Sequence, residues 1–136
     1  QAILNGEAID VYNRGEMRLD FTYIEDLVVA VRRLDDKPPH IGQSMGNFDS
    51  LSPVAPFRIV NIGKAKPDSL GDFIAQIEQT LEIEAKKTLM AMQPGDVPAT
   101  WSDTRLLEAL TGYKASTGLE RGIPEFVAWY RSYYDL

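Results

Sequence analysis

Apolar positions along the chain recur with two different periods, and the period separates strand from helix. Ala8-Ile9-Asp10-Val11-Tyr12 alternates and stops at Asn13-Arg14-Gly15, which predicts a short strand and a turn. Asp20-Phe21-Thr22-Tyr23-Ile24, rich in aromatic and β-branched residues, predicts a second strand. It flows into Glu25-Asp26, acids suited to the positive end of a helix dipole, and the helix they open places Leu27, Val28, Ala30, Val31 and Leu34 on one face. Asp35-Asp36-Lys37-Pro38-Pro39 stops it. From Pro38 to Pro56 the chain turns to Gly, Pro, Ser and Asn, so residues 38–56 are expected to be a mobile loop.

The second half alternates more regularly. Phe57-Arg58-Ile59-Val60-Asn61-Ile62-Gly63 predicts a strand running into a turn. Ser69 and Asp72 stand at capping-box spacing ahead of a stripe of Leu70, Phe73, Ile74, Ile77 and Leu81. Lys87 to Met92 predicts a strand closed by the polar turn Gln93-Pro94-Gly95-Asp96. Ser102 or Asp103 caps a helix carrying Leu106, Leu107 and Leu110 that ends at Gly112. The last helix starts at Thr117 and buries Ile123, Phe126, Val127 and Tyr130, with Pro124 expected to bend or shorten its first turns. This order of elements is an α/β pattern, yet a doubly wound domain would need more strands at helix-separated intervals. The chain reads as part of such a fold. Gln1-Ala2-Ile3-Leu4-Asn5-Gly6 supports this, because it resembles the last turn of a helix whose start is absent.

Composition narrows the chemistry. The 136 residues suffice for one domain, and the absence of cysteine removes disulfides, zinc knuckles and thiol nucleophiles. His40 is the one histidine, so clusters that need a second imidazole are excluded. Twenty acids against fourteen bases, a net charge of −6, leave no footprint for a nucleic-acid backbone. No apolar run approaches the roughly 20 residues that span a bilayer. The expectation is a cytoplasmic chain with neither nucleic-acid nor membrane partners.

Most candidate groups have structural readings. Gly63-Lys64 follows a predicted strand but lacks the upstream glycine and the hydroxyl of a phosphate loop, and no glycine cluster follows a strand as dinucleotide binding requires. Asp10, Asp20, Asp26, Asp96 and Asp103 read as caps and turn formers, since nothing fixes two of them across a cleft. Trp129, Tyr130, Tyr133 and Tyr134 read as core plus surface of an amphipathic helix. Two segments stand apart: Asn13 to Ile24, with Arg14 and Arg18 around a turn, and Gln93-Pro94-Gly95-Asp96, a polar turn after an apolar strand that would present side chains on a rigid frame.

These segments, with Asn61-Ile62-Gly63, Met92-Gln93-Pro94-Gly95-Asp96-Val97-Pro98 and Phe126-Val127-Ala128-Trp129-Tyr130-Arg131, resemble the C-terminal part of NAD-dependent sugar-nucleotide epimerases of the extended short-chain dehydrogenase/reductase class, nearest the UDP-glucuronate 4-epimerase branch. The resemblance implies a small mixed α/β substrate-binding domain, residues 1–136, from a protein whose N-terminal Rossmann domain holds NAD. That domain would also carry the Ser/Thr and Tyr-x-x-x-Lys groups that oxidise and re-reduce sugar C4 through a 4-keto intermediate. This chain has no such pair: the fourth residue after Tyr12 is Glu16, after Tyr23 Leu27, after Tyr113 Thr117 and after Tyr130 Tyr134. By the same resemblance Tyr12 lies by the uracil of a UDP-sugar, while Gln93 and Asp96 contact phosphates and ribose. The family's diphosphate-gripping arginine falls on Leu19, with Arg18 one residue early and, in a regular strand, facing the other way.

The implied partners are the UDP-sugar and the chain's own Rossmann domain, with the segment from Phe57 to Ile62 as the exposed edge that joins a larger sheet; the uncovered apolar faces add self-association as an expectation, with a homo-oligomer one outcome and the oligomeric state left open. A non-catalytic interaction or regulatory domain built on the same scaffold is the competing reading, and Leu19 is its best argument.

Overall fold

The computed structural model describes all 136 residues and divides them into two compact units. The first comprises residues 1–19, 67–100 and 118–136, the second residues 20–66 and 101–117.

In the first unit, strands β1 (Ala8–Val11) and β4 (Lys86–Leu89) pair in parallel, Ala8 opposite Lys86 and Val11 opposite Leu89. A separate three-stranded sheet runs β3-β2-β5, where β2 is Arg18–Leu19, β3 Asp68–Ser69 and β5 Ala99–Thr100. Two helices cover the core, α2 (Leu70–Leu81) and α4 (Leu119–Tyr133). Their stripes meet where sequence periodicity puts them: Leu81, Ile123 and Val127 are buried together, with Phe73, Ile77, Ile3 and Leu4 packed against them. Ser69 caps α2 as its spacing predicts, its hydroxyl accepting from the N–H groups of Gly71 at 3.1 Å and Asp72 at 3.4 Å. Residues 2–6 form hydrogen-bonded turns: the Asn5 N–H donates to the Gln1 carbonyl, and Gly6 takes the left-handed conformation at φ 68°. Pro124 lies within α4, which runs from Leu119 without interruption. That helix starts two residues after Thr117, with Gly118 at its cap, and Phe126 is half exposed rather than buried.

The second unit pairs α1 (Ile24–Asp35) with α3 (Arg105–Thr111). Leu106 and Leu107 are buried, and Gly112 closes α3 in the left-handed conformation. Three expectations need correction here. The run Asp20 to Ile24 forms no strand: pairing stops at Leu19, and Asp20 instead turns its carboxylate onto backbone N–H groups. Residues 57–63 join no ladder either, because no strand of the chain lies beside them and an extended run becomes a strand only with a partner. The Ser50 hydroxyl takes over that role, accepting from the Ile59 N–H at 2.8 Å and donating to the Ile59 carbonyl at 2.6 Å. Finally, of the face expected to be buried on α1, Ala30 alone is fully covered, while Leu27, Val28 and Val31 are exposed.

Within 38–56 there is neither helix nor strand. The segment is organised by Asp49, which takes the Arg58 guanidinium in a two-pronged ion pair at 2.8 and 2.9 Å and accepts the N–H groups of Met45 and Leu51.

Candidate functional site

The parallel pairing of β1 with β4 decides what shares one edge. Beyond Val11 and Leu89 the ladder continues, the Met90 N–H donating to the Val11 carbonyl at 2.9 Å and the Arg14 N–H to the Met90 carbonyl at 3.2 Å. The segments after the two strands therefore emerge from the same, carboxyl, end of the pair. In α/β folds that end is where ligands bind, because the connecting turns there are free to carry side chains.

After β1 comes Tyr12, which opens a 3-10 turn through Gly15. Asn13 and Arg14 both adopt the left-handed conformation, at φ 45° and 50°, and Gly15 follows at 82°. After β4 comes the turn Gln93-Pro94-Gly95-Asp96, closed by the Asp96 N–H on the Gln93 carbonyl at 3.2 Å. Proline second and glycine third, with Gly95 at φ 93°, are the signature of a type II turn. Such a turn holds Gln93 and Asp96 at its two ends, and both are exposed. Their chemistry is complementary: an amide both donates and accepts, a carboxylate accepts only.

Of the residues proposed from sequence, Tyr12, Gln93 and Asp96 thus lie beyond the same ends of one strand pair. Arg18 does not. It sits in β2, in the other sheet, in regular register with Ser69 on one side and Ala99 on the other, and no bulge re-aims it. Its guanidinium donates to the Pro67 carbonyl at 3.2 Å, while Leu19 is half buried.

Asp10 lies exposed in β1 of the first unit, while Asp20, Asp26 and Asp103 are occupied within the second. Asp20 accepts from the N–H groups of Lys64, Ala65 and Ser102 at 3.0 to 3.1 Å and from the Ser102 hydroxyl at 2.6 Å. Burial works against its charge, but those bonds outweigh it and hold the carboxyl below the usual aspartate range. Gly63 is the condition for this arrangement, because a Cβ there would overlap the Ser102 hydroxyl and the Asp20 carboxylate. Asp26 accepts from the Tyr113 hydroxyl at 2.8 Å and from the N–H groups of Ser116 and Thr117. It is likewise held low against burial, and burial, together with the same pair, pushes the Tyr113 phenol up to about 12. Asp103 bonds the Arg105 guanidinium. These groups are scaffold, as their sequence positions at turns and helix starts suggested.

The strand-to-helix step at β3–α2 is not open to a pyrophosphate. β3 is the strand that passes directly into a helix, and the N–H groups at the start of α2, which a pyrophosphate would need, are taken by Ser69.

No protein-family model matches the chain. A probable UDP-glucuronate 4-epimerase of Rhizobium meliloti (strain 1021) is 43% identical over 136 residues, covering 98% of this chain and 40% of the relative. UDP-glucuronate 4-epimerase 4 of Arabidopsis thaliana is 35% identical over 137 residues, 98% of this chain and 31% of the relative. The chain is homologous to a C-terminal part of UDP-glucuronate 4-epimerases. It spans about two-fifths of the length of the first relatives it matches. Among solved structures, the UDP-glucuronic acid 4-epimerase of Bacillus cereus, in complex with UDP-glucuronic acid and NAD, superimposes with a TM-score of 0.74 at 21% identity, over 98% of this chain and 38% of that one. MoeE5 in complex with UDP-glucuronic acid and NAD gives a TM-score of 0.74 at 22% identity, over 97% of this chain and 39% of that one. The chain therefore has the mixed α/β fold of the corresponding part of these solved structures. The competing reading, a non-catalytic interaction or regulatory domain built on the same scaffold, is not favoured. No helix is long and apolar enough to cross a membrane.

Proposed function

We propose that this chain is the UDP-sugar-binding part of a cytoplasmic, NAD-dependent nucleotide-sugar epimerase acting on a UDP-glucuronate-like substrate. The observation that carries the reading is the parallel register of β1 and β4, which delivers Tyr12 and the Gln93–Asp96 turn to one edge. On it, Tyr12 lies against the uracil, Asp96 accepts from the ribose hydroxyls and Gln93 donates to a phosphate oxygen. Arg18 is the cation that the family pattern offers, one position from the usual place, and its bond to Pro67 would have to break for it to reach a ligand.

The reading implies a division of labour. An epimerase must let the sugar turn while the rest of the substrate is held, so binding energy has to come from the remote nucleotide. This chain supplies that hold. NAD and the groups that act on C4 belong to an N-terminal Rossmann domain of the longer protein. Ile24, Leu27, Val28 and Val31 on one face of α1, and Phe57 and Ile59 in the unpaired extended segment, are the exposed apolar surfaces that such a domain would cover.

Calorimetry of the full-length protein with UDP tests the assignment. Asp96→Ala and Gln93→Ala are each expected to weaken UDP about fivefold to fiftyfold, the loss of one or two hydrogen bonds. Unchanged affinity in both variants would remove this edge as the nucleotide site.

A further inference from the structure

We infer that Arg14 is a phosphate-binding residue of this edge, its guanidinium meeting the diphosphate of the nucleotide. The inference rests on the reading of the edge as a nucleotide site and adds a group to it.

Position comes first. Arg14 lies two residues beyond Tyr12, and its own N–H is bonded to the Met90 carbonyl, so its backbone is fixed between the ends of both paired strands. It is the one cationic side chain in Tyr12–Gly15 and Met90–Asp96, the segments that emerge there. Conformation adds a second argument. Arg14 holds φ at 50°, directly after Asn13 at 45°. Glycine adopts this region without steric cost, whereas a side chain with a Cβ is strained in it. The turn needs positive φ at position 14 but has no need of an arginine, so the turn's geometry does not explain the side chain. Charge supplies the third. The guanidinium is exposed and bonded to no acceptor of the chain, whereas Arg18 is engaged by Pro67 and its neighbour Leu19 is apolar. A positive charge on a fixed backbone therefore stands at the carboxyl end of the strand pair, ion-paired with no carboxylate of the chain. The planar guanidinium matches phosphate oxygens with two parallel N–H donors.

The conformation also provides a clean test, because Arg14→Gly removes the charge while relieving the backbone, so the variant should melt no lower than the parent. In calorimetry on the full-length protein, Arg14→Gly is expected to weaken UDP about tenfold to a hundredfold, the worth of a charge-assisted bond, and to leave uridine, which has no phosphate, unaffected. Arg14→Lys should recover part of the loss, and the deficit of Arg14→Gly should shrink as salt is raised. If UDP binds Arg14→Gly as tightly as the parent while Asp96→Ala weakens it, Arg14 is a solvated surface arginine and the inference fails with the nucleotide site intact. Uridine and UDP falling together would also overturn it, by showing that the substitution disturbs the base or the turn. Should Asp96→Ala and Gln93→Ala leave UDP untouched as well, the site itself is misplaced and the inference falls with it.

Discussion

Asp20→Asn removes one charge from the second unit and changes almost nothing in volume, so its effect isolates what the carboxylate does. In the parent, Oδ1 accepts from Lys64 N–H while Oδ2 accepts from Ala65 N–H, Ser102 N–H and the Ser102 hydroxyl. An asparagine keeps one oxygen. Placed where Oδ2 was, it preserves three acceptances and turns its NH2 toward the Lys64 N–H, donor against donor; the opposite rotamer strands more groups. One orphaned donor costs about 1–3 kcal/mol, and the remaining bonds lose roughly half their strength with the charge. Discounted for the part exposure of the site and for non-additivity, the expected loss is about 2–3 kcal/mol at pH 7.

The pH dependence carries the sharper test. The folded-state pKa of Asp20 lies below its usual 3.8, so the unfolded chain takes up the proton first as pH falls. Stability from this group is therefore complete above the unfolded value and disappears as pH drops from about 4 through the lowered folded value. Parent and variant should differ fully from pH 7 to 5 and converge below about 4, because a protonated Asp20 meets the same donors as an asparagine. Urea unfolding followed by Trp101, one residue from Ser102 in the same unit, reads the difference, and exchange of the Lys64 and Ala65 amides localises it. A difference below about 0.5 kcal/mol at pH 7, or one that stays constant down to pH 3, would refute the assignment of the carboxylate as the hub of this unit.

Ser69→Ala should cost about 1 kcal/mol in a urea melt, the loss of the α2 cap, and Ser69→Asp should restore most of it. Leu107→Ala, at a fully buried position between α3 and α1, should cost about 2–5 kcal/mol, while Val54→Ala at 84% exposure should cost nothing measurable. Tyr113 should ionise near pH 12 in an ultraviolet titration, and Tyr113→Phe should abolish that component. The sign follows from its raised folded value: the stability due to Tyr113 is complete below pH 10 and falls as pH rises toward 12, so the variant should flatten the alkaline limb of the stability profile.

Helices were the legible part of this fold. The α2 stripe, its Ser69 cap and the Gly112 exit of α3 depend on residues within one or two turns of each other, and the sequence displays them directly. The failures have a common cause. A strand needs a partner, and neither 20–23 nor 57–63 has one in the chain, so strongly β-prone residues end outside any ladder, with Ile24 taken into the first turn of α1. Likewise the period of α1 is correct, but an apolar face can be buried only where something covers it, and its stripe stays exposed. For the candidate site, the turn at Gln93–Asp96 could be read from Pro-Gly alone, whereas the parallel register that brings Tyr12 to the same end of the strand pair joins residues about eighty apart and has no local signature.

What separates scaffold from site in this molecule is where each polar group finds its partners. Asp20, Asp26, Asp49 and Asp103 all sit at turns or helix starts, and each is saturated by donors from its own unit. For Asp20, Asp26 and Asp49, whose donors include two or more backbone N–H groups each, the carboxylate is free for a ligand only if the surrounding backbone rearranges. Gln93, Asp96 and Arg14 show the reverse arrangement: their main chains are fixed by the 3.2 Å turn bond and the Met90 contact, while their side chains make no bond to the protein. Exposed polar groups without partners are ordinary on any surface. Groups whose backbone is immobilised at the carboxyl end of one parallel strand pair, with a donor, an acceptor and a cation among them, are preorganised, so a ligand that meets them would not have to supply the ordering of that backbone. That asymmetry, internal satisfaction in one set and external availability in the other, is the physical basis for our proposal that a nucleotide binds at the β1–β4 edge rather than at the acid-rich turns of the second unit.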